Sequence, residues 1–165
     1  MDQALDDWPL VTRGLALANS IVFDTKPFVQ NTIVSGLFSA NLDITTNKRD
    51  LDIAITLFDI KPGGEWVQLS YDWQRASFAA NPARRRLLSP GRRIHVKLMA
   101  RCTTSRLLGA GDQVAVVIGI VKQPGEEINY GTGRPVSTET IADAGEPLQI
   151  RWWCDSSIDV PQHHP

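Results

Sequence analysis

Between Leu51 and Tyr71, apolar and polar residues alternate in two runs separated by a short break. Leu51, Ile53, Ile55 and Leu57 fall on one face of the first run, and Val67, Leu69 and Tyr71 on one face of the second. That period of two is what a half-buried strand requires. Between the runs, Lys61-Pro62-Gly63-Gly64 supplies a fixed φ followed by residues free to take φ > 0, so the stretch predicts a hairpin. Upstream, residues 1–19 are apolar without a clean period and Pro9 interrupts any helix, which makes them a lead-in. Ile21-Val22-Phe23 reads as a short strand. Val34, Gly36, Phe38, Ala40, Leu42 and Ile44 share one face of what reads as a single long strand. Downstream, the pattern predicts a short strand over Trp73 to Phe78 and an alternating strand from Arg93 to Ala100, with Ile94, Val96, Leu98 and Ala100 inward. Arg101 to Gly111 reads as a loop. Val114 to Val121 is apolar on both faces and belongs in the sheet interior. A long irregular loop follows to Pro135, and short strands are expected near Leu148–Trp153 and Ile158–Val160. No amphipathic helix of three turns occurs. Short strands punctuated by Pro and Gly imply an all-β sandwich, and connections this long favour a jelly roll.

The chain of 165 residues suits one domain with a sizeable core. No apolar run approaches membrane-spanning length, and the acidic start lacks the basic flank and apolar stretch of a signal peptide. The compartment stays open, with a soluble domain expected. The net charge of −1 is unevenly spread: between Trp73 and Gly111 there are nine Lys or Arg and no acid. A basic surface for nucleic acid, using Arg84, Arg85, Arg86, Arg92 and Arg93, is one reading. Basic strands lying beside acidic ones is the favoured one, because the domain as a whole is balanced. Cys102 and Cys154 are too few for a disulfide framework or a zinc site. One bridge between them would contribute about 4 kcal/mol, but free, buried thiols are the expectation.

Catalytic signatures are missing. There is no Gly-x-Ser-x-Gly elbow, and His95 alternates outward between Arg93 and Lys97 while His163 and His164 lie in the tail. Gly109-Ala110-Gly111 precedes a strand instead of following one, so it is not a dinucleotide loop. Asp50 and Asp52 invite an acid–base or calcium reading, but carboxylates before a strand commonly bond the backbone of their own turn. No cofactor or metal is implied. Trp66, Tyr71, Trp73, Tyr130, Trp152 and Trp153 are many large rings for this chain, and sugar-binding sandwiches present such rings as platforms. Trp152 and Trp153 are adjacent, so a strand points them to opposite faces.

Several segments in order carry a resemblance. Phe23 to Pro27, Val34-Ser35-Gly36, Asp50 through Gly64, Leu88-Ser89-Pro90-Gly91, the strand Ile94 to Ala100, Gly111, and Asn129-Tyr130-Gly131-Thr132-Gly133 resemble the C-terminal domain of the X-Pro dipeptidyl-peptidase and cocaine-esterase hydrolases. That group includes α-amino acid ester hydrolases and glutaryl-7-aminocephalosporanic acid acylases. The resemblance covers roughly residues 20–160, and the order of the segments says more than any one of them. It departs at Gly111-Asp112-Gln113, where relatives often have Gly-His-Arg, and at Gly63-Gly64, where Asp-Gly is usual.

The resemblance implies a jelly-roll sandwich similar to galactose-binding domains, packed on an α/β-hydrolase domain that carries the Ser, Asp and His of the triad. No catalytic residue carries over. The expectation is a non-catalytic accessory domain (residues 20–165) reached through a linker (residues 1–19). It would buttress the hydrolase domain of the same chain, help shape its pocket and support homo-oligomers, with no nucleic-acid or membrane partner. Its interface or pocket-rim candidates are Trp66, Tyr71, Trp73, Asn129, Tyr130 and Trp152. A carbohydrate-binding module using Trp66, Trp73 or Trp152 is the rival.

Overall fold

The computed structural model describes residues 11–12, 17, 19–121 and 125–165. The chain builds β1 (Val11–Thr12), β2 (Ile21–Asp24), β3 (Thr32–Gly36), β4 (Ser39–Thr46), β5 (Asp52–Ile60) and β6 (Trp66–Arg75). It continues with β7 (Arg93–Met99), β8 (Thr104–Leu108), β9 (Gln113–Ile120), β10 (Ile150–Trp152), β11 (Ser157–Asp159) and β12 (Gln162–His163). One sheet has the order β1-β6-β5-β9-β2. In a second, β7 lies along one edge of β4 and β10 and β11 along the other, while β12-β3-β8 form a third. Every pairing is antiparallel.

The alternation read from the sequence decides what faces what. Ile53, Ile55 and Leu57 on β5 and Ile118 on β9 form one buried cluster with Ala40, Leu42, Ile44, Val96 and Leu98 of the second sheet and with Phe38 just before β4. Two sheets therefore bury their apolar faces on each other, which makes the molecule an all-β sandwich. Each large aliphatic side chain buried this way contributes about 2 kcal/mol. Val34, Leu108 and Val114 form a smaller cluster at the third sheet. β9 lies between β5 and β2, as its two-sided apolar pattern requires.

Four expectations about the strands need correction. The long strand over Val34 to Ile44 is two strands: Gly36 turns at φ +129°, with Pro161 so close that a Cβ would sit 3.2 Å from it. β3 thus joins the third sheet and β4 the second. The separate strand over Trp73 to Phe78 is the end of β6 followed by a single 3-10 turn at Ala76–Phe78. The Arg101–Gly111 loop contains β8, whose pattern is short and polar except for Leu107 and Leu108. Finally, Tyr71 does not share a face with Val67 and Leu69. A bulge opposite Leu57/Phe58 inserts Leu69 as an extra residue, so Tyr71 pairs with Thr56 while Ser70 and Asp72 take the inward positions opposite Leu57 and Ile55.

Cys102 and Cys154 are free but exposed, because each sits in a turn beyond the end of a core strand. Most of the 1–19 lead-in lies outside the described residues; within it, Val11 and Thr12 pair with Val67 and Trp66. Among the described residues, no helix is long and apolar enough to cross a membrane.

Candidate functional site

Asp50 and Asp52 stand where β5 begins, and both are buried. The Asp50 carboxylate accepts from Leu51 N at 2.9 Å, Ser77 N at 3.0 Å, Ser77 Oγ at 2.7 Å and Arg85 Nη2 at 2.9 Å. Asp52 is gripped by Arg75 Nε and Nη2, both at 2.8 Å, and by Asn129 Nδ2 at 3.0 Å. Asp50 meets the expectation of backbone bonding, whereas Asp52 is held by side chains. With their oxygens taken by arginine and amide donors, these carboxylates are structural clamps joining the 75–85 segment and the 129–134 loop to the hairpin. Among the described residues no group of three or more metal-ligating side chains converges.

The interface candidates are all half-buried, and the structure spreads them over the first sheet, the second sheet and the loop around residues 129–130. Trp66 meets Phe58 edge to face at 5.5 Å. Trp73 lies under the guanidinium groups of Arg75 and Arg101, at 5.7 and 5.8 Å. Tyr71 and Trp73 pair with Thr56 and Ala54, on the face of the first sheet turned away from the sandwich core. The Tyr71 hydroxyl donates to Glu126; burial, then the adjacent Glu126 charge, pushes the phenol well above its usual range. Asn129 reaches this neighbourhood through Asp52 and Arg75, while the Tyr130 amide donates to Glu139 at 2.7 Å.

Trp152 belongs elsewhere. It shares the core-facing side of the second sheet with its partner Ile44 and lines an apolar cleft of about 490 Å³ between β2 and the β10–β11 edge, beside Ile21, Phe23 and Ile158. Neither member of the Trp152–Trp153 pair is free in solvent. The Trp153 ring lies beneath Arg93 at 4.9 Å and Arg151 at 5.9 Å, and its Nε1 donates to Thr45 Oγ1.

Two clusters carry more charge chemistry than the alternation suggested. Asp72 accepts from the backbone N of Arg101 at 2.6 Å and from its Nη2 at 2.5 Å, joining β6 to the end of β7. Burial pushes the Asp72 carboxyl up, but the Arg101 bonds and the Trp73 amide outweigh it and hold it below the ordinary range. The one available signal was a charged residue at an inward position of β6, and the bulge concealed it. At the far end of the hairpin, Lys61 Nζ lies 2.5 Å from Asp59 and 2.6 Å from Asp112. Burial raises the Asp59 carboxyl, and its Oδ1 is enclosed without a hydrogen-bond partner.

None of these clusters is a hydrolytic centre. His95 is exposed and faces Asp43 at 3.2 Å. Ser77 is committed to Asp50, and Ser156 Oγ contacts the backbone of Asp43; among the described residues no serine hydroxyl bonds a histidine.

The profile of one family, the X-Pro dipeptidyl-peptidase C-terminal non-catalytic domain, matches residues 5–148. The chain belongs to this family. Members of this domain family are described as non-catalytic. Solved structures share the fold at low identity. An aminopeptidase from a marine-sediment Thaumarchaeota archaeon superposes with a TM-score of 0.78 and 20% identity, over 87% of this chain and 25% of its own. An α-amino acid ester hydrolase gives 0.78 and 18%, over 88% of this chain and 26% of its own. A CocE/NonD family hydrolase from Staphylococcus aureus gives 0.64 and 17%, over 88% of this chain and 30% of its own. The X-Pro dipeptidyl-peptidase C-terminal domain represented here thus spans about a quarter to a third of the solved chains it resembles. No match was found among curated proteins.

Proposed function

We propose that this chain serves as an accessory domain of a serine hydrolase, packing on an α/β-hydrolase domain of the same polypeptide and helping to shape its substrate pocket. The observation that carries the reading is the family match across most of the chain, joined to a fold shared with hydrolases of which it covers only a fraction. The proposed contact face is the outer side of the first sheet, where Trp66, Tyr71 and Trp73 lie half-exposed beside the Asn129–Tyr130 loop. Aromatic rings that keep a partly open face away from the core suit such an interface. Residues 1–19 serve as the connection to the hydrolase domain.

A sugar-binding platform is less well supported. Trp66 and Trp73 share a strand, but Trp152 lies on the opposite sheet against the core, and Trp73 is covered by two guanidinium groups.

Hydrogen–deuterium exchange on this chain alone and within a longer polypeptide carrying a hydrolase domain tests the proposal. Added protection over residues 66–75 and 126–131 is expected. Protection unchanged throughout the chain would overturn the packing, and turnover of an activated ester by the chain alone, abolished by a Ser→Ala or His95→Ala change, would overturn the accessory role.

A further inference from the structure

Nine cationic residues lie between Trp73 and Gly111 without one acid, and the structure shows how they divide. Arg75, Arg85, Arg93 and Arg101 are consumed by the carboxylates of Asp52, Asp50, Asp43 and Asp72. Arg84, Arg86, Arg92, Lys97 and Arg106 are exposed, and among the described residues no carboxylate lies within ion-pairing distance of them; of these five, Arg86 and Arg92 share a pocket.

Arg86 and Arg92 line this pocket together with His95, between the 76–89 segment and the free edge of β7. Ala76, Ala79, Leu88 and Ile94 give it an apolar floor. Its walls are fixed by backbone bonds: Arg86 N to Ser77 O at 2.7 Å, Leu88 N to Arg49 O at 2.8 Å, and Arg92 N to Ser89 O at 3.1 Å. The acids nearest in the fold are already committed, Asp43 to Arg93 and His95 and Asp50 to Ser77 and Arg85. The two pocket-lining cations without a carboxylate are both arginines, whose planar forks receive carboxylates two bonds at a time.

We propose that this pocket docks an acidic segment of a protein partner, with carboxylates received by Arg86 and Arg92 and side-chain methylenes resting on the alanine–leucine floor. Size decides for a protein segment over a free small molecule. The pocket holds about 260 Å³ and is open along one side, below the roughly 300–1,000 Å³ of cavities that bury small ligands, yet enough for one or two side chains of a docked surface. Charge complementarity decides the sign of the partner. The proposal is independent of the accessory-domain reading and is tested on this chain alone.

An oligo-glutamate peptide is titrated into the isotope-labelled chain while the Nε–Hε resonances of Arg86 and Arg92 are followed, together with the backbone amides of residues 86–95, which the variants retain. Saturable shifts at both are expected, weakened about tenfold or more by R86Q/R92Q. The R86K/R92K variant keeps the charge but loses the fork, and is expected to retain only part of the affinity. It also decides the matter should the glutamine variant lose its ordered spectrum. Shifts absent from these arginines, or an affinity unchanged in the lysine variant as read from the backbone amides of residues 86–95, would overturn the site. Inorganic phosphate binding as tightly as the peptide would replace it with a small-anion site, and tighter binding of a DNA duplex would replace it with a nucleic-acid surface.

Discussion

Asp50 shows what a single residue is asked to do here. Its carboxylate is fully enclosed and satisfies a backbone amide from its own strand, two donors of Ser77 and the Arg85 guanidinium. Asp50→Ala leaves a cation, two backbone amides and a hydroxyl without their partner, and is expected to cost about 3 kcal/mol in urea unfolding. A loss below about 1 kcal/mol would mean that water replaces the carboxylate freely. Asp72 and Asp59 respond to pH with opposite signs. The lowered Asp72 contributes stability that is present above the ordinary carboxylate range and is lost as pH falls through its native value. The raised Asp59 contributes stability that is present below that range and is lost as pH rises through its native value. Asp72→Asn is therefore expected to lower the urea midpoint at about pH 7 far more than at about pH 3. Asp59→Asn, which leaves Lys61 its bond to Asp112, is expected to cost less than about 1 kcal/mol at neutral pH.

The hairpin of β5 and β6 is the element on which the others depend, since β5 contacts both β6 and β9 and the clamps at its start draw in the 129–134 loop. Two glycines separate turn chemistry from packing. Gly64, at φ +82° in the hairpin turn, has open space around the position of a Cβ, so Gly64→Ala is expected to cost about 1 kcal/mol from backbone strain alone. Gly131, at φ +81°, would place a Cβ 2.8 Å from the Lys48 side chain and 2.9 Å from the Asp50 carbonyl. Gly131→Ala is expected to exceed the Gly64 loss by a further 1–3 kcal/mol or so, because neither neighbour is free to move away. Thermal or urea unfolding of the two variants compares them directly, and equal losses would sink the packing argument. Sequence reading placed Gly64 correctly from its Pro-Gly-Gly context. It could not anticipate what surrounds Gly131, which depends on a loop folding back over a hundred-residue-scale fold onto β5.

At the scale of the whole molecule, one core holds the two main sheets together. Leu57 is 1% exposed and belongs to the cluster that also contains Leu42 and Val96 from the facing sheet. Leu57→Ala is expected to cost about 3 kcal/mol and to shift near- and far-ultraviolet circular dichroism transitions together. Separate transitions would show that the sheets unfold independently. Much of this architecture was legible in advance: the hairpin, β7 and β9 follow from side chains alternating or running apolar along an extended backbone, a local property. So was family membership, because ordered motifs survive in the sequence itself. Tertiary structure alone decided the rest. The bulge reversed Tyr71 and turned Asp72 inward, since one inserted residue shifts every later side chain to the other face. The close approach of Pro161 to Gly36 split a continuous alternation between two sheets. And which arginines of the acid-free stretch find carboxylates among the described residues, and which do not, depends on strands far apart in sequence meeting across the sandwich, information that no local pattern of residues contains.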